Sequence, residues 1–146
     1  MLAILMKMPS TTPDENSLRD KRLYFRGRAK VPLDHLRYHG TSAHREIDQK
    51  HVTHLINVFK TEGCARLHNP NHYVPVLVSN EDLSAALAQS GLRRLDLMQD
   101  GEPHYLRFPA NANVTVLHGE HRLRAAERYL DPADCWWVAV LYITGI

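Results

Sequence analysis

The chain contains one stretch, residues 114–129, in which a strand, a glycine and a helix follow one another directly. Its first three residues alternate as in a β-strand, and residues 120–130 are mainly strong helix formers. Gly119 forms the turn between them. The first turn of such a helix presents unpaired N–H groups at the positive end of the helix dipole, and Arg122 and Arg124 add guanidinium groups. The pattern predicts a site for an anionic oxygen such as phosphate.

Length, charge and cysteine content limit the class of protein. A chain of 146 residues fits one domain with one core. Its net charge of +2 is too small to argue nucleic-acid binding by itself. Two cysteines, Cys64 and Cys135, do not make a disulfide framework, which favours an intracellular location, cytoplasmic or nuclear. No run approaches the roughly 20 apolar residues of a membrane span, so no membrane partner is expected.

The first part of the chain divides into a tail and the start of a domain. Residues 1–20 are predicted to be a flexible N-terminal tail, and residues 21–146 a single domain. Residues 23–33 are rich in strand formers. Gly27 is a candidate bulge in this strand, and Pro32 indicates a strand end or an edge strand.

A helix and a central strand are expected next. Asp48 is a candidate N-cap for a helix over Gln49–Glu62, and Gly63 would end it. The apolar residues of this helix recur at three- and four-residue steps and predict one buried face: Val52, Leu55, Ile56 and Phe59. Residues 73–79 are apolar almost throughout and predict a strand in the middle of the sheet, with Pro75 at a bulge.

The remaining segments have weaker patterns. Residues 81–89 predict a short helix capped by Asn80 and ended near Gly91, and residues 92–113 predict a connection with one short strand at 104–108. Residues 136–143 close the sheet as a strand. Adjacent strand residues point to opposite faces, so Trp136 or Trp137 could cover a partner and make the protein a homo-oligomer.

Residues 118–126, HGEHRLRAA, resemble the glycine-glutamate-arginine-arginine box of the ParB/sulfiredoxin superfamily. The order of elements upstream agrees with that family. The segments REID (45–48), EGC (62–64), LHGEHR (117–122) and WWV (136–138) together also resemble a fungal domain family that is often found on large mobile elements. The resemblance implies an α/β fold, a small mixed sheet with packed helices, and a nucleoside triphosphate of unspecified base as ligand. Turnover would also require Mg²⁺.

Three departures from the superfamily bear on function. Glu120 stands where sulfiredoxins have a cysteine, which argues against reduction of sulfinic acids. The chromosome-partitioning members have two adjacent arginines where this chain has His121 and Arg122. Those members continue into a helical DNA-binding region, and the chain ends at Ile146. Specific DNA recognition by that region is therefore not expected unless the sequence is a fragment.

The resemblance assigns a role to each candidate residue. The predicted phosphate- and nucleotide-binding residues are Arg45, Gly119, His121, Arg122 and Arg124. The predicted catalytic residues are Glu46, Glu120 and His121, with Arg45 and Glu46 closing the site.

Each of these residues also has a purely structural interpretation. Gly119 could be an ordinary turn, Glu120 could favour the helix dipole, and His121 could pack beneath the turn. Arg122 could pair with Glu46 or Glu127, and Arg124 could be a solvated surface charge. Arg45 and Glu46 could form a surface ion pair.

A metal site does not follow from the ten histidines. Cys64, His68 and His72 recur at four-residue steps, but Asn69-Pro70-Asn71 interrupts any helix that would align them, and no zinc site is predicted. Three functional classes remain. They are a nucleotide-binding domain that acts as a hydrolase or phosphotransferase, a nucleic-acid-associated protein of a mobile element that contacts DNA, and a catalytically inactive interaction domain.

Overall fold

The computed structural model describes residues 24–38 and 47–144. The strands are β1 (Phe25–Pro32), β2 (Leu36–Tyr38), β3 (Val74–Val78), β4 (Val114–Val116) and β5 (Trp136–Ile143). The helices are α1 (Gln49–Glu62), α2 (Asn80–Ser90), α3 (Arg94–Met98) and α4 (Glu120–Tyr129). Short 3₁₀ turns occur at Leu33–His35, Pro70–His72 and Pro132–Asp134.

The strands form one mixed sheet in the order β1-β5-β3-β4-β2. β5 pairs antiparallel with β1 and parallel with β3, and β4 pairs antiparallel with β3 and parallel with β2. The predicted α/β class with a small mixed sheet is therefore confirmed. β5 was expected to close the sheet, but it lies one position in from the edge.

One face of the sheet carries the core. Because side chains alternate along a strand, every second residue of β5 faces the helices, and the same holds for β3. The most buried strand residues on this face are Val31, Val74, Val76, Val78, Val114, Trp137 and Leu141. They join the buried helix residues in one apolar cluster, to which the helices contribute Val52, Phe59, Leu83, Leu97 and Leu123.

Helix α1 matches its prediction from the first residue to the last. The Asp48 side chain accepts hydrogen bonds from the amides of Lys50 at 3.0 Å and His51 at 3.4 Å. Gly63 ends the helix with a φ of 86°. On the predicted apolar face, two residues are buried and two are half-buried against the core: Val52, Phe59, Leu55 and Ile56.

The expectations for the prolines and for Gly27 are partly confirmed. The register of β1 shifts between Phe25 and Gly27, so the bulge is present, and Pro32 ends an edge strand. β3 is central, but the predicted bulge at Pro75 is wrong because the register with β5 runs unbroken through it. The Pro75 carbonyl accepts a hydrogen bond from Leu117, just beyond the β3–β4 ladder. The missing N–H of the proline therefore falls where that ladder has ended.

Residues 80–113 differ most from expectation. Ser79, rather than Asn80, caps α2 by accepting a hydrogen bond from the amide of Asp82 at 3.0 Å. Gly91 ends this helix in the left-handed conformation, as predicted. The helix Arg94–Met98 was not predicted. The expected strand at 104–108 is reduced to a single parallel bridge between Lys30 and Tyr105, since only residue 105 reaches the edge of β1 with strand geometry.

The two adjacent tryptophans face opposite sides of β5, as predicted. Trp137 is buried against Phe59, with ring centroids 6.0 Å apart. Trp136 is half-buried, and the Arg66 guanidinium lies 3.6 Å from its ring centroid. Part of Trp136 is thus covered by this chain, and a homo-oligomer stays a prediction. The helices of the described segments are all too short or too polar to cross a membrane.

Candidate functional site

Gly119 joins β4 to α4 in a conformation that disfavours any other residue. Its φ of 100° and ψ of 15° lie in the left-handed region. A Cβ atom at this position would approach Cγ1 of Val74 to 2.8 Å. The glycine is therefore required both by backbone strain and by the close approach to β3.

The first turn of α4 lacks a side-chain cap. Gly119 is the N-cap residue and offers no side chain, and its carbonyl accepts the hydrogen bond from Leu123 at 3.1 Å. Within residues 24–38 and 47–144, the amides of Glu120, His121 and Arg122 donate no hydrogen bond. Three N–H groups at the positive end of the helix thus remain available to an anion.

Arg122 is the third residue of α4 and is half-buried. It forms no hydrogen bond or ion pair with any residue that the structure describes, so the alternative pairing with Glu127 is not made. Its charge is felt by the thiol of Cys64, where it opposes the upward shift of the pKa that burial causes.

His121 connects α4 to the start of α1. Its Nε2 accepts a hydrogen bond from the backbone amide of Asp48 at 3.1 Å. The ring of His51 meets the His121 ring edge-on, with centroids 5.0 Å apart. Because Nε2 accepts this hydrogen bond, Nδ1 is the ring nitrogen left as a donor.

Arg124 is held by two neighbours rather than solvated. Its Nη2 donates to Oε2 of Glu120 at 3.1 Å, and its guanidinium lies 4.1 Å from the ring centroid of Tyr38. The Tyr38 hydroxyl donates to Oε1 of Glu127 at 2.9 Å. Burial, followed by this hydrogen bond, raises the pKa of Tyr38, so the hydroxyl stays protonated and continues to donate.

Two cavities flank this group of side chains. One, of about 340 Å³, is lined by Ile47, Gln49, Arg124, Glu127 and Arg128. The other, of about 450 Å³, is also lined by Arg124 and Glu127. Its other lining residues belong to β2, to the turn before β2 and to the segment that follows α4. Both are open to solvent.

The loop after α1 is fastened to β5 by Arg66, whose exposed fraction is only 9%. Nη1 of Arg66 donates to the carbonyls of Asp134 and Trp136, both at 2.8 Å, and Nη2 donates to Oδ2 of Asp134 at 2.5 Å. Cys64 belongs to this loop. These hydrogen bonds therefore fix the segment that contains Cys64.

The structure brings most of the predicted site residues onto one helical turn and a half. These are Gly119, Glu120, His121, Arg122 and Arg124. Arg45 and Glu46 lie outside the described residues. The sequence did not indicate Tyr38, which lies 86 residues before Arg124 and meets it only through the fold.

The described residues offer no cluster of three or more His, Cys, Asp or Glu side chains that could hold a metal ion. Glu120 is engaged with Arg124, so the described chain does not supply an acidic site for the Mg²⁺ expected from the resemblance. Cys64 and Cys135 are both free and half-buried.

A search of the curated proteins finds no match to this chain. Among solved structures, the chain is similar to the C-terminally truncated chromosome-partitioning protein ParB from Caulobacter crescentus complexed with CTP-γ-S, with a TM-score of 0.46 and 15% identity. The alignment covers 82% of this chain and 46% of that one, so this chain spans less than half the length of that protein. Residues 24–146 match the model of the family described as "Protein of unknown function (DUF3723) N-terminal domain", and the chain therefore belongs to that family.

Proposed function

We propose that the domain binds the phosphate groups of a nucleoside triphosphate at the first turn of α4. The proposal is carried by Arg122, a half-buried residue whose guanidinium has no partner among the described residues and which belongs to a turn with uncapped amides. Removing a cation from water without a partner costs free energy. A bound phosphate would offset that cost and satisfy the free N–H groups.

The other residues of the turn support this site in different ways. Gly119 allows the close packing that exposes the turn, and His121 fixes the start of α1 beside it through Asp48. Arg124 adds less positive charge than Arg122 because Glu120 already neutralises it. Arg45 and Glu46 remain proposed members of the site, contributed by the segment before α1.

Hydrolysis or phosphotransfer would require a further element, because charge on the migrating phosphoryl group must be neutralised. Mg²⁺ commonly takes phosphate oxygens and water as most of its ligands. In this domain the ion would arrive with the nucleotide, because Glu120 is already paired with Arg124. The proposal concerns nucleotide binding, and it does not depend on hydrolysis or phosphotransfer.

Calorimetric titration with ATP, CTP, GTP and UTP, each with and without Mg²⁺, tests the proposal. The wild-type chain is expected to bind at least one of them. Loss of a charge-assisted contact of about 1.5–3 kcal/mol in Arg122→Ala should weaken binding by roughly 10- to 100-fold. Arg128→Ala is the matched control, because it removes the same charge from the exposed end of the same helix.

Two results would overturn the proposal. One is an Arg122→Ala variant that is folded and binds as tightly as wild type. The other is the absence of binding for all four nucleotides. In that second case, DNA binding that weakens steeply with salt would favour the nucleic-acid-associated class, because counterion release governs contacts to the phosphate backbone.

A further inference from the structure

The larger of the two cavities, about 450 Å³, is lined by apolar and polar side chains together. Leu33, Leu36 and Leu130 are the large aliphatic residues of the lining, and Tyr38 and Glu127 contribute polar groups. A mainly apolar lining with a few polar groups is the usual composition of a small-molecule site, and the volume lies within the range of such sites.

Arg124 links this cavity to the first turn of α4. Its guanidinium contacts Glu120, the first residue of the helix, and also lies over the ring of Tyr38 in the cavity wall. The same side chain therefore contacts the first residue of α4 and a residue that lines the cavity. A ligand with phosphates at the turn would extend past Arg124 into the cavity.

The cavity does not suit a phosphate group. Glu127 and Asp34 both line it with carboxylate side chains. Two carboxylates would repel an anion, whereas each can accept a hydrogen bond from an N–H group. Oε1 of Glu127 accepts from Tyr38, and Oε2 has no partner among the described residues.

We propose that this cavity holds the base of the nucleotide and that Glu127 selects bases with an exocyclic amino group. The inference rests on the proposed function, since the phosphates anchor the ligand. The flat base would pack against the leucine side chains of the lining, and its amino group would donate to Oε2 of Glu127. Tyr38 is a positioning residue, because its hydroxyl fixes the orientation of that carboxylate.

Matched nucleotide pairs test the inference. CTP and UTP differ in an amino group against a carbonyl at one ring position, and ATP and inosine triphosphate differ in the same way. In calorimetric titrations, the wild-type chain should bind the amino-bearing member of each pair about tenfold more tightly, which is the worth of one hydrogen bond to a charged group. Inorganic tripolyphosphate reports on the phosphate site alone.

Two variants separate selection from folding. Glu127→Gln keeps the size of the side chain and an acceptor for Tyr38 but loses the carboxylate, and the preference should disappear or reverse. Tyr38→Phe keeps the ring beneath Arg124 and should reduce the preference. Neither variant should change the affinity for tripolyphosphate, and urea unfolding curves verify that both are folded.

The outcomes distinguish the two proposals. Equal affinity for both members of each pair in the wild-type chain, with tripolyphosphate still bound, would overturn the base site and leave the phosphate site intact. Amino preference that persists unchanged in Glu127→Gln would overturn the role of Glu127. Failure of every nucleotide and of tripolyphosphate to bind would overturn the proposed function and this inference with it.

Discussion

The backbone amide of Asp48 donates a hydrogen bond to Nε2 of His121, so the residue that caps α1 is also held by the first turn of α4. Asp48 and His121 are 73 residues apart, and their hydrogen bond fixes the starts of the two helices against each other. The His51 ring, in the first turn of α1, packs edge-on against the same imidazole. The relative position of the two helices is set at the point where we place the phosphates.

Replacing His121 should weaken the connection between α4 and the start of α1. His121→Phe keeps a ring against His51 but removes the acceptor for the Asp48 amide. Because that amide is near solvent, water can replace the bond, and the free energy of unfolding should fall by about 0.5–1.5 kcal/mol. Urea unfolding measures the change. Thr53→Val on the exposed side of α1 serves as the control, and an equal loss in both variants would contradict a specific role for the hydrogen bond.

Gly119→Ala should be more costly than an ordinary glycine substitution in a left-handed conformation. The alanine pays backbone strain of about 1–3 kcal/mol and in addition forces its Cβ towards Val74. Gly91→Ala is the matched control, because it has a φ of 69° and open space around the added atom. The unfolding free energy should fall further for Gly119→Ala than for Gly91→Ala. Equal losses would mean that the contact with Val74 relaxes without cost.

Arg66→Lys should destabilise the protein although the charge is kept. Lysine cannot reproduce the planar fork that reaches two carbonyls and a carboxylate while stacking on Trp136. A loss of about 1–3 kcal/mol in the free energy of unfolding is expected. Arg37→Lys is the control, since Arg37 is exposed and makes one hydrogen bond of 3.3 Å, so that its change should stay within about 0.5 kcal/mol.

His35 should make stability depend on pH near neutrality. Burial lowers the pKa of His35 below its ordinary value of 6.5, and the charges of Arg107 and Arg37 lower it further, while Asp34 acts in the opposite direction. Its Nε2 is buried without a hydrogen-bond partner in the described part of the chain. Between the folded and unfolded pKa values the unfolded chain binds more protons, so this stability is present above pH 6.5 and is lost as the pH falls.

Thermal unfolding at constant ionic strength measures this dependence. The pH should run from about 7.5 to about 5, which extends roughly one unit or more to each side of the ordinary histidine pKa. His35→Leu should flatten the decrease in Tm on acidification. His54→Leu, at an exposed position of α1, should leave it as in wild type. A slope that is the same in all three proteins would show that His35 does not carry the effect.

The fold was predictable where local chemistry determines it. Helix α1 follows from its apolar spacing, the Asp48 cap and Gly63, and the turn at Gly119 follows from the change from strand to helix formers. The helix Arg94–Met98 has only five residues, too few for a periodic pattern to be visible. At positions 104–108 the strand propensity was real, but only one residue reaches β1, because pairing is decided by tertiary contacts.

The sequence predicted only those parts of the candidate site whose residues are neighbours in the chain. Gly119, Arg122 and Arg124 stand in one motif, and their proximity follows from helix geometry. The stacking of Arg124 on Tyr38 and the bond from Asp48 to His121 join distant segments, and no spacing rule indicates them. The alternative pairing of Arg122 with Glu127 was reasonable from sequence distance, but Glu127 instead accepts from Tyr38.

The segment around Tyr105 has a consequence for association between chains. The backbone of this segment forms hydrogen bonds with the outward-facing N–H and C=O groups of Lys30, in the edge strand β1. The guanidinium of Arg28, also in β1, donates to the carbonyls of Gln99 and Gly101. The opposite edge, β2, is only three residues long. Among the residues that the structure describes, neither edge therefore offers a long unpaired template, which should protect the domain from strand-to-strand aggregation into fibrils.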